Sequence, residues 1–164
     1  MNFKERLQKI KLFIFDMDGV LTNGTLLVTE NELHRTMNIK DGYAMAHAIR
    51  NGYEMAIISG GHSSSAEQRF KKLGLKNVFM GVENKKDILM QLLKDLGLSY
   101  DNTLYMGDDM PDLPCMKLVS VPCAPYDACS EVLETACYVS PKRGGEGCVR
   151  DVIEQVLKLH GKWA

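Results

Sequence analysis

The sequence predicts an α/β protein, a Rossmann-like three-layer sandwich around a central parallel sheet. Three observations predict it. Six short runs are apolar, broken only by Ser120: Leu12 to Phe15, Met55 to Ile58, Val78 to Met80, Leu104 to Met106, Val119 to Val121 and Tyr138 to Val139. Continuous rather than alternating apolarity is what strands covered on both faces require, as in a parallel sheet. Stretches with helical spacing stand between the runs, and strand–helix alternation builds open α/β sheets. Finally, no repeat, low-complexity tract or Pro/Ser linker divides the 164 residues, so residues 1–164 are expected to form a single domain.

The predicted helices have readable ends. Ser64 with Glu67 three residues later makes a capping-box pattern, and Gly74 is placed to stop that helix at its C′ position. Asn84 caps the next one, where Ile88, Leu89, Leu92, Leu93 and Leu96 form one apolar stripe before Gly97. A last helix carries Val149, Val152, Ile153, Val156 and Leu157 at helical spacing. Thr25 to Asn38 departs from the alternation. It reads as a β-hairpin arm, placed by its position after the first strand to reach over that strand's end.

Composition excludes several functions. Lys plus Arg is 20 and Asp plus Glu is 21, a net charge of −1, so no basic footprint exists for nucleic acid or an anionic membrane surface. No window approaches the roughly 18 apolar residues of a membrane span, and the charged N-terminal stretch is not a secretory signal. The five cysteines form no Cys-x-x-Cys pair. The expectation is a cytoplasmic protein with reduced cysteines, several acting as small hydrophobes.

The chemistry gathers at strand ends. The first run leads into Asp16-Met17-Asp18-Gly19. Residues i and i+2 of an extended chain project to one side, and in open α/β sheets ligands collect at the carboxyl ends of strands. Two carboxylates there point to a metal, or to a nucleophile with an acid/base partner. The run ending at Met106 repeats the pattern with Gly107, Asp108, Asp109 and Asp112, acids that repel unless a cation or hydrogen bonds compensate. The run ending at Ile58 leads into Ser59-Gly60-Gly61, a hydroxyl beside residues small enough for a ligand to approach the backbone. Lys85 then opens a helix, where a cation is misplaced unless an anion lies between it and the helix N-terminus. Together the four ends supply a cation site and a phosphate cradle.

This ordered set resembles the haloacid dehalogenase superfamily of phosphatases. Asp16-Met17-Asp18-Gly19 is similar to its first motif, Ser59 to its second, Lys85 to its third, and Gly107 to Asp112 to its fourth. The closer resemblance is to the capless branch of 3-deoxy-D-manno-octulosonate 8-phosphate (KDO 8-phosphate) phosphatases. It rests on Asp16 to Thr22, on Asn38 to Gly42, and on Gly144 to Gly147 followed by Arg150.

The resemblance implies a magnesium-dependent phosphatase without a cap domain that acts on a keto-acid sugar phosphate in lipopolysaccharide precursor synthesis. It implies Asp16 as nucleophile, Asp18 as acid and base, and Ser59, Gly60 and Lys85 around the phosphoryl group. Magnesium would be held by Asp16, the backbone carbonyl of Asp18 and Asp108. Asp109 and Asp112 would orient metal-bound water or Lys85. Arg69 is implied as a substrate-binding residue serving a neighbouring subunit in a homotetramer. Lys142, Arg143 and the glycine-rich Gly144 to Gly147 are expected to form a mobile tail that closes over bound substrate, and Lys40 is a further candidate near the hairpin. One position departs from the pattern: Gly61 stands where relatives show arginine, or glutamate in the nine-carbon branch. A phosphatase for nine-carbon keto-acid 9-phosphates is therefore a second reading. A non-catalytic module, like those appended to some cytidylyltransferases, is a third.

Overall fold

The computed structural model describes residues Met1–Ala164. In chain order the elements are α1 (Phe3–Gln8), β1 (Leu12–Phe15), β2 (Leu27–Val28), β3 (Leu33–His34), α2 (Ile39–Arg50), β4 (Glu54–Ile58) and α3 (Ser64–Leu73). They continue as β5 (Asn77–Phe79), α4 (Lys85–Leu96), β6 (Thr103–Met106), α5 (Leu113–Met116), β7 (Val121–Ala124), α6 (Ser130–Thr135), β8 (Tyr138–Val139) and α7 (Cys148–Leu159). Six strands form one parallel sheet in the order β5-β4-β1-β6-β7-β8, and β2 pairs with β3 as a separate antiparallel hairpin. The expected α/β sandwich and hairpin arm are both present, with no cap domain.

Each apolar run serves two cores because strand side chains alternate between faces. Phe13 and Phe15 of β1 pack with Met45 of α2, Phe70 of α3 and Ile153 of α7. Leu12 and Ile14 pack on the opposite face with Leu89 and Leu92 of α4 and Met116 of α5. All four β1 side chains are fully buried, and each such burial stabilises by about 1.5–3 kcal/mol. A polar residue in this strand would therefore damage one core or the other.

Strand order also positions the chemistry. The chain leaves β1 towards β4 and β5 on one side, then returns to β6 on the other. The ends of β1, β4 and β6 are therefore neighbours at the switch in direction, where an open sheet leaves a crevice. Phe15 is in register with both Ile57 and Met106, and the Asp16 amide donates to the Met106 carbonyl at 3.1 Å.

Several predicted boundaries shift. Helix α3 is capped by Ser63, whose hydroxyl accepts from the Ala66 amide, and not by Ser64. Glu67 accordingly makes no capping box and pairs with Lys71 one turn on. The run predicted at Val119 to Val121 is displaced, since β7 spans Val121–Ala124 and contains Pro122. Helices α1, α2, α5 and α6 have no counterpart in the predicted elements. Gly74 and Gly97 do end their helices, at φ +105° and +64°. The five cysteines are free, and no helix is long and apolar enough to cross a membrane.

Helix α7 shows how distant residues complete a local element. Gly147 sits at its cap position with no side chain to offer. Asp41 of α2 substitutes, accepting from the Arg150 amide at 2.8 Å. Its other oxygen is buried without a partner, and burial pushes the carboxyl up to about 6.

Candidate active site

One cleft of about 280 Å³ collects Asp16, Asp18, Ser59, Gly60, Lys85, Asp108, Asp109 and Asp112, and Pro111 is the one apolar side chain that lines it. The residues singled out at four separate strand ends thus meet in one place. Asp16 follows β1, Ser59 follows β4, Lys85 opens α4 beyond β5, and Asp108 follows β6.

Glycines make the close approach possible. Gly19 turns the chain away at φ +87°, and a Cβ there would lie 1.8 Å from Asp108 Oδ2. Gly107 has no room for a side chain either, because a Cβ would fall 2.3 Å from that of Asp112.

Lys85 is the hub. Its Nζ lies 2.8 Å from Asp16 Oδ1 and 2.8 Å from Asp112 Oδ1, with all three side chains buried or nearly so. The anions that offset its place at a helix N-terminus are therefore protein carboxylates. Burial pulls the lysine's proton affinity down, but Asp112 and Asp16 outweigh it and leave the group raised. Asp112 also accepts from the Tyr105 hydroxyl at 2.8 Å and, through Oδ2, from the Asp108 amide at 3.0 Å.

The remaining carboxylates carry more negative charge than the single lysine can balance. Burial, reinforced by Asp112 against the opposing pull of Lys85, pushes Asp16 up to about 6. Burial and the adjacent Asp16 push Asp108 up to about 9. Carboxylates that hold protons so firmly are a site short of one cation, and a divalent ion reverses the shift. Oxygen atoms of Asp16, Asp108 and Asp112 lie within 4.8 Å of one another. Hard oxygen donors in a polar cleft fit magnesium. Asp112 has more protein donors on its oxygens than Asp16, which accepts from Lys85 alone.

Asp18, in the same cleft, has partners of its own. Arg35, on the arm just beyond β3, donates from Nε to Asp18 Oδ1 at 2.8 Å and from Nη2 to Oδ2 at 3.1 Å. Thr22 donates to Oδ1 at 3.3 Å. The arm does reach the strand end it follows. Arg35 was not among the sequence-predicted site residues, since nothing local to it signals a partner 17 positions earlier.

Other predicted residues fall outside the cleft. Arg69 lines a neighbouring cavity of about 310 Å³ with Arg35, Ser63 and Ser65, and its guanidinium lies against Gly42. Lys40 is exposed at the start of α2. The Lys142 to Gly147 segment is tied down beside the turn that follows β1 and is not a free tail. The Gly144 amide donates to Asp127 and the Gly145 amide to the Val20 carbonyl, and Gly144 has no space for a Cβ against the Gly19 carbonyl.

No protein-family model matches the chain. Characterised relatives do. The KDO 8-phosphate phosphatase KdsC of Escherichia coli K12 is 35% identical over 158 residues, 96% of this chain and 84% of that protein. The chain belongs to the KDO 8-phosphate phosphatase family. The Haemophilus influenzae member is 31% identical over 97% of this chain and 89% of its own length. Among solved structures of the family, the Moraxella catarrhalis enzyme in complex with magnesium, phosphate and KDO superposes with a TM-score of 0.92 at 30% identity, covering 95% of this chain and 90% of that one. The Yersinia pestis enzyme gives 0.94 at 32% identity, covering 97% and 86%. The family lies in the haloacid dehalogenase superfamily, as the resemblance of the motifs implies.

Proposed function

We propose that this chain is a magnesium-dependent phosphatase that hydrolyses KDO 8-phosphate to the free keto sugar acid and phosphate, in lipopolysaccharide precursor synthesis. The reading is carried by the convergence of Asp16, Asp18, Ser59, Lys85 and Asp108 on one polar cleft. The Moraxella relative's complex with magnesium, phosphate and KDO supports it.

In this reading Asp16 attacks phosphorus in line and forms an aspartyl-phosphate as the bond to the sugar oxygen breaks. Asp18 gives that departing oxygen its proton, then takes one from the water that attacks the intermediate, which frees phosphate and restores Asp16. Ser59, the Gly60 backbone and Lys85 hold the phosphoryl oxygens, where the transition-state charge is spread. Magnesium, held by Asp16, Asp108 and the Asp18 backbone carbonyl, would neutralise charge on those oxygens. Asp112 keeps Lys85 aimed at Asp16.

A capless enzyme has little of its own to shield the sugar, and the arm exposes Leu27, Val28 and Leu33 with Ile39 beside them. We infer that neighbouring copies cover these residues in a homotetramer and that Arg69 serves the neighbour's substrate. Sedimentation of the purified protein tests the assembly, and an active monomer would contradict it.

The function is tested by phosphate release across keto-acid sugar phosphates with and without magnesium. The expected result is magnesium-dependent turnover with the eight-carbon substrate preferred in kcat/KM. Clear preference for a nine-carbon 9-phosphate would change the substrate. No release from any of them would favour the non-catalytic module.

A further inference from the structure

Asp18 can act on a leaving group only through a carboxyl oxygen turned towards it, and in this structure both of its oxygens already accept from protein donors. Oδ1 accepts from Arg35 Nε and from Thr22, and Oδ2 accepts from Arg35 Nη2. A guanidinium has donors and no acceptor, so while the fork is closed this face of Asp18 is closed to the substrate.

Three further observations concern the arginine itself. Its side chain is only 6% exposed while Asp18 is 33% exposed, and Nη1 is buried with no partner, a donor left unmet in this arrangement. Position 61 crowds the fork closely: a Cβ there would lie 3.1 Å from Arg35 Nη2 and 3.0 Å from Asp18 Oδ2, so any larger residue than glycine would make the pair shift by a few tenths of an ångström. And it sits at the root of an arm whose two strands are two residues long and exposed, so beyond the fork itself the arm adds little to hold it in place. The cavity beside it, which Arg69, Ser63 and Ser65 also line, gives the guanidinium somewhere to turn.

We propose that Arg35 is a positioning residue that parks Asp18 in the substrate-free protein and releases it when a second anionic group of the substrate, a sugar-acid carboxylate, draws the guanidinium away. The inference rests on the phosphatase reading above and adds a selection step to it. A sugar phosphate with no carboxylate leaves Asp18 parked and reacts slowly, while a keto-acid sugar phosphate frees the residue its own reaction needs. Selectivity then comes from Arg35 of the arm, although Gly61 offers no charge.

The test compares kcat/KM for a keto-acid sugar phosphate and for a carboxylate-free hexose phosphate in the wild type, Arg35→Ala, Arg35→Lys and Gly61→Ala. The latch predicts that Arg35→Ala lowers the acid-to-neutral ratio by about 10-fold or more, the size of one lost charged contact, with kcat on the neutral substrate unchanged or raised. Arg35→Lys should restore part of the ratio, and Gly61→Ala, which crowds the fork, should lower it. If Arg35→Ala does not fold, Arg35→Lys and Gly61→Ala carry the comparison. Equal losses on both substrates, or an unchanged ratio, would overturn the latch and leave the phosphatase reading standing. A wild type that releases phosphate from neither substrate would overturn both.

Discussion

Lys85 Nζ and Asp112 Oδ1 stand 2.8 Å apart in the buried floor of the cleft, so half of the lysine's pairing goes to a carboxylate that also accepts from Tyr105 and the Asp108 amide. Asp112 thereby fixes where Lys85 points. Asp112→Asn keeps the acceptor and removes the charge. It should leave the fold intact and lower kcat/KM by about 10–100-fold, the range for residues that orient a ligand-bearing group. Steady-state kinetics check it, and wild-type kcat/KM would show that Lys85 needs no such partner.

Magnesium should stabilise the fold, because Asp16 and Asp108 are buried carboxylates pushed up to about 6 and about 9 without it. At 100 times Kd a ligand that binds only the native state adds about 2.7 kcal/mol. Thermal unfolding with magnesium and then with chelator should show a reversible rise in Tm, absent in Asp108→Ala. A rise that survives in Asp108→Ala would place the ion elsewhere.

Gly19→Ala tests the geometry of the nucleophile turn. The backbone at φ +87° disfavours any side chain, and the new Cβ would overlap Asp108 Oδ2. Strain of this kind costs about 1–3 kcal/mol, and displacing a reacting group by an ångström costs on the order of 100-fold in rate. Denaturant unfolding and kinetics should show both. Full activity would mean that Asp108 moves aside without consequence.

The cap of α7 makes stability depend on pH. Burial raises Asp41 in the folded state from 3.8 to about 6, so between those values the folded protein holds a proton that the unfolded chain has released. Stability from this group is therefore present at pH 4 and lost as pH rises to 6 and above, by about 3 kcal/mol at most. Asp41→Asn keeps the acceptor for the Arg150 amide and removes the titration. The difference in unfolding free energy between mutant and wild type should move in the mutant's favour from pH 4 to pH 7. A difference independent of pH would remove Asp41 as the source.

How much of this the sequence reveals depends on whether the signal is local. Five of the six runs match strands to within a residue or two, because parallel strands must be apolar on both faces. The sixth is displaced because β7 runs through Pro122, a residue that ordinarily argues against a strand. Helix α2 escapes notice because Gly42, Ala44 and Ala48 form much of its buried face, which allows close packing but makes a faint apolar stripe. In the site, the paired aspartates and Lys85 are legible since each is chemically odd where it stands. Arg35 and the Asp41 cap are not, since their meaning lies in partners 17 and 109 residues away.

The central claim is that Asp16 carries the phosphoryl group. Wild-type protein, mixed with KDO 8-phosphate and magnesium and acid-quenched within a turnover, should carry a phosphoryl group on the peptide containing Asp16, and Asp16→Asn should carry none while remaining folded. Phosphate release by Asp16→Asn, or a phosphoryl group found on any other residue, would contradict it.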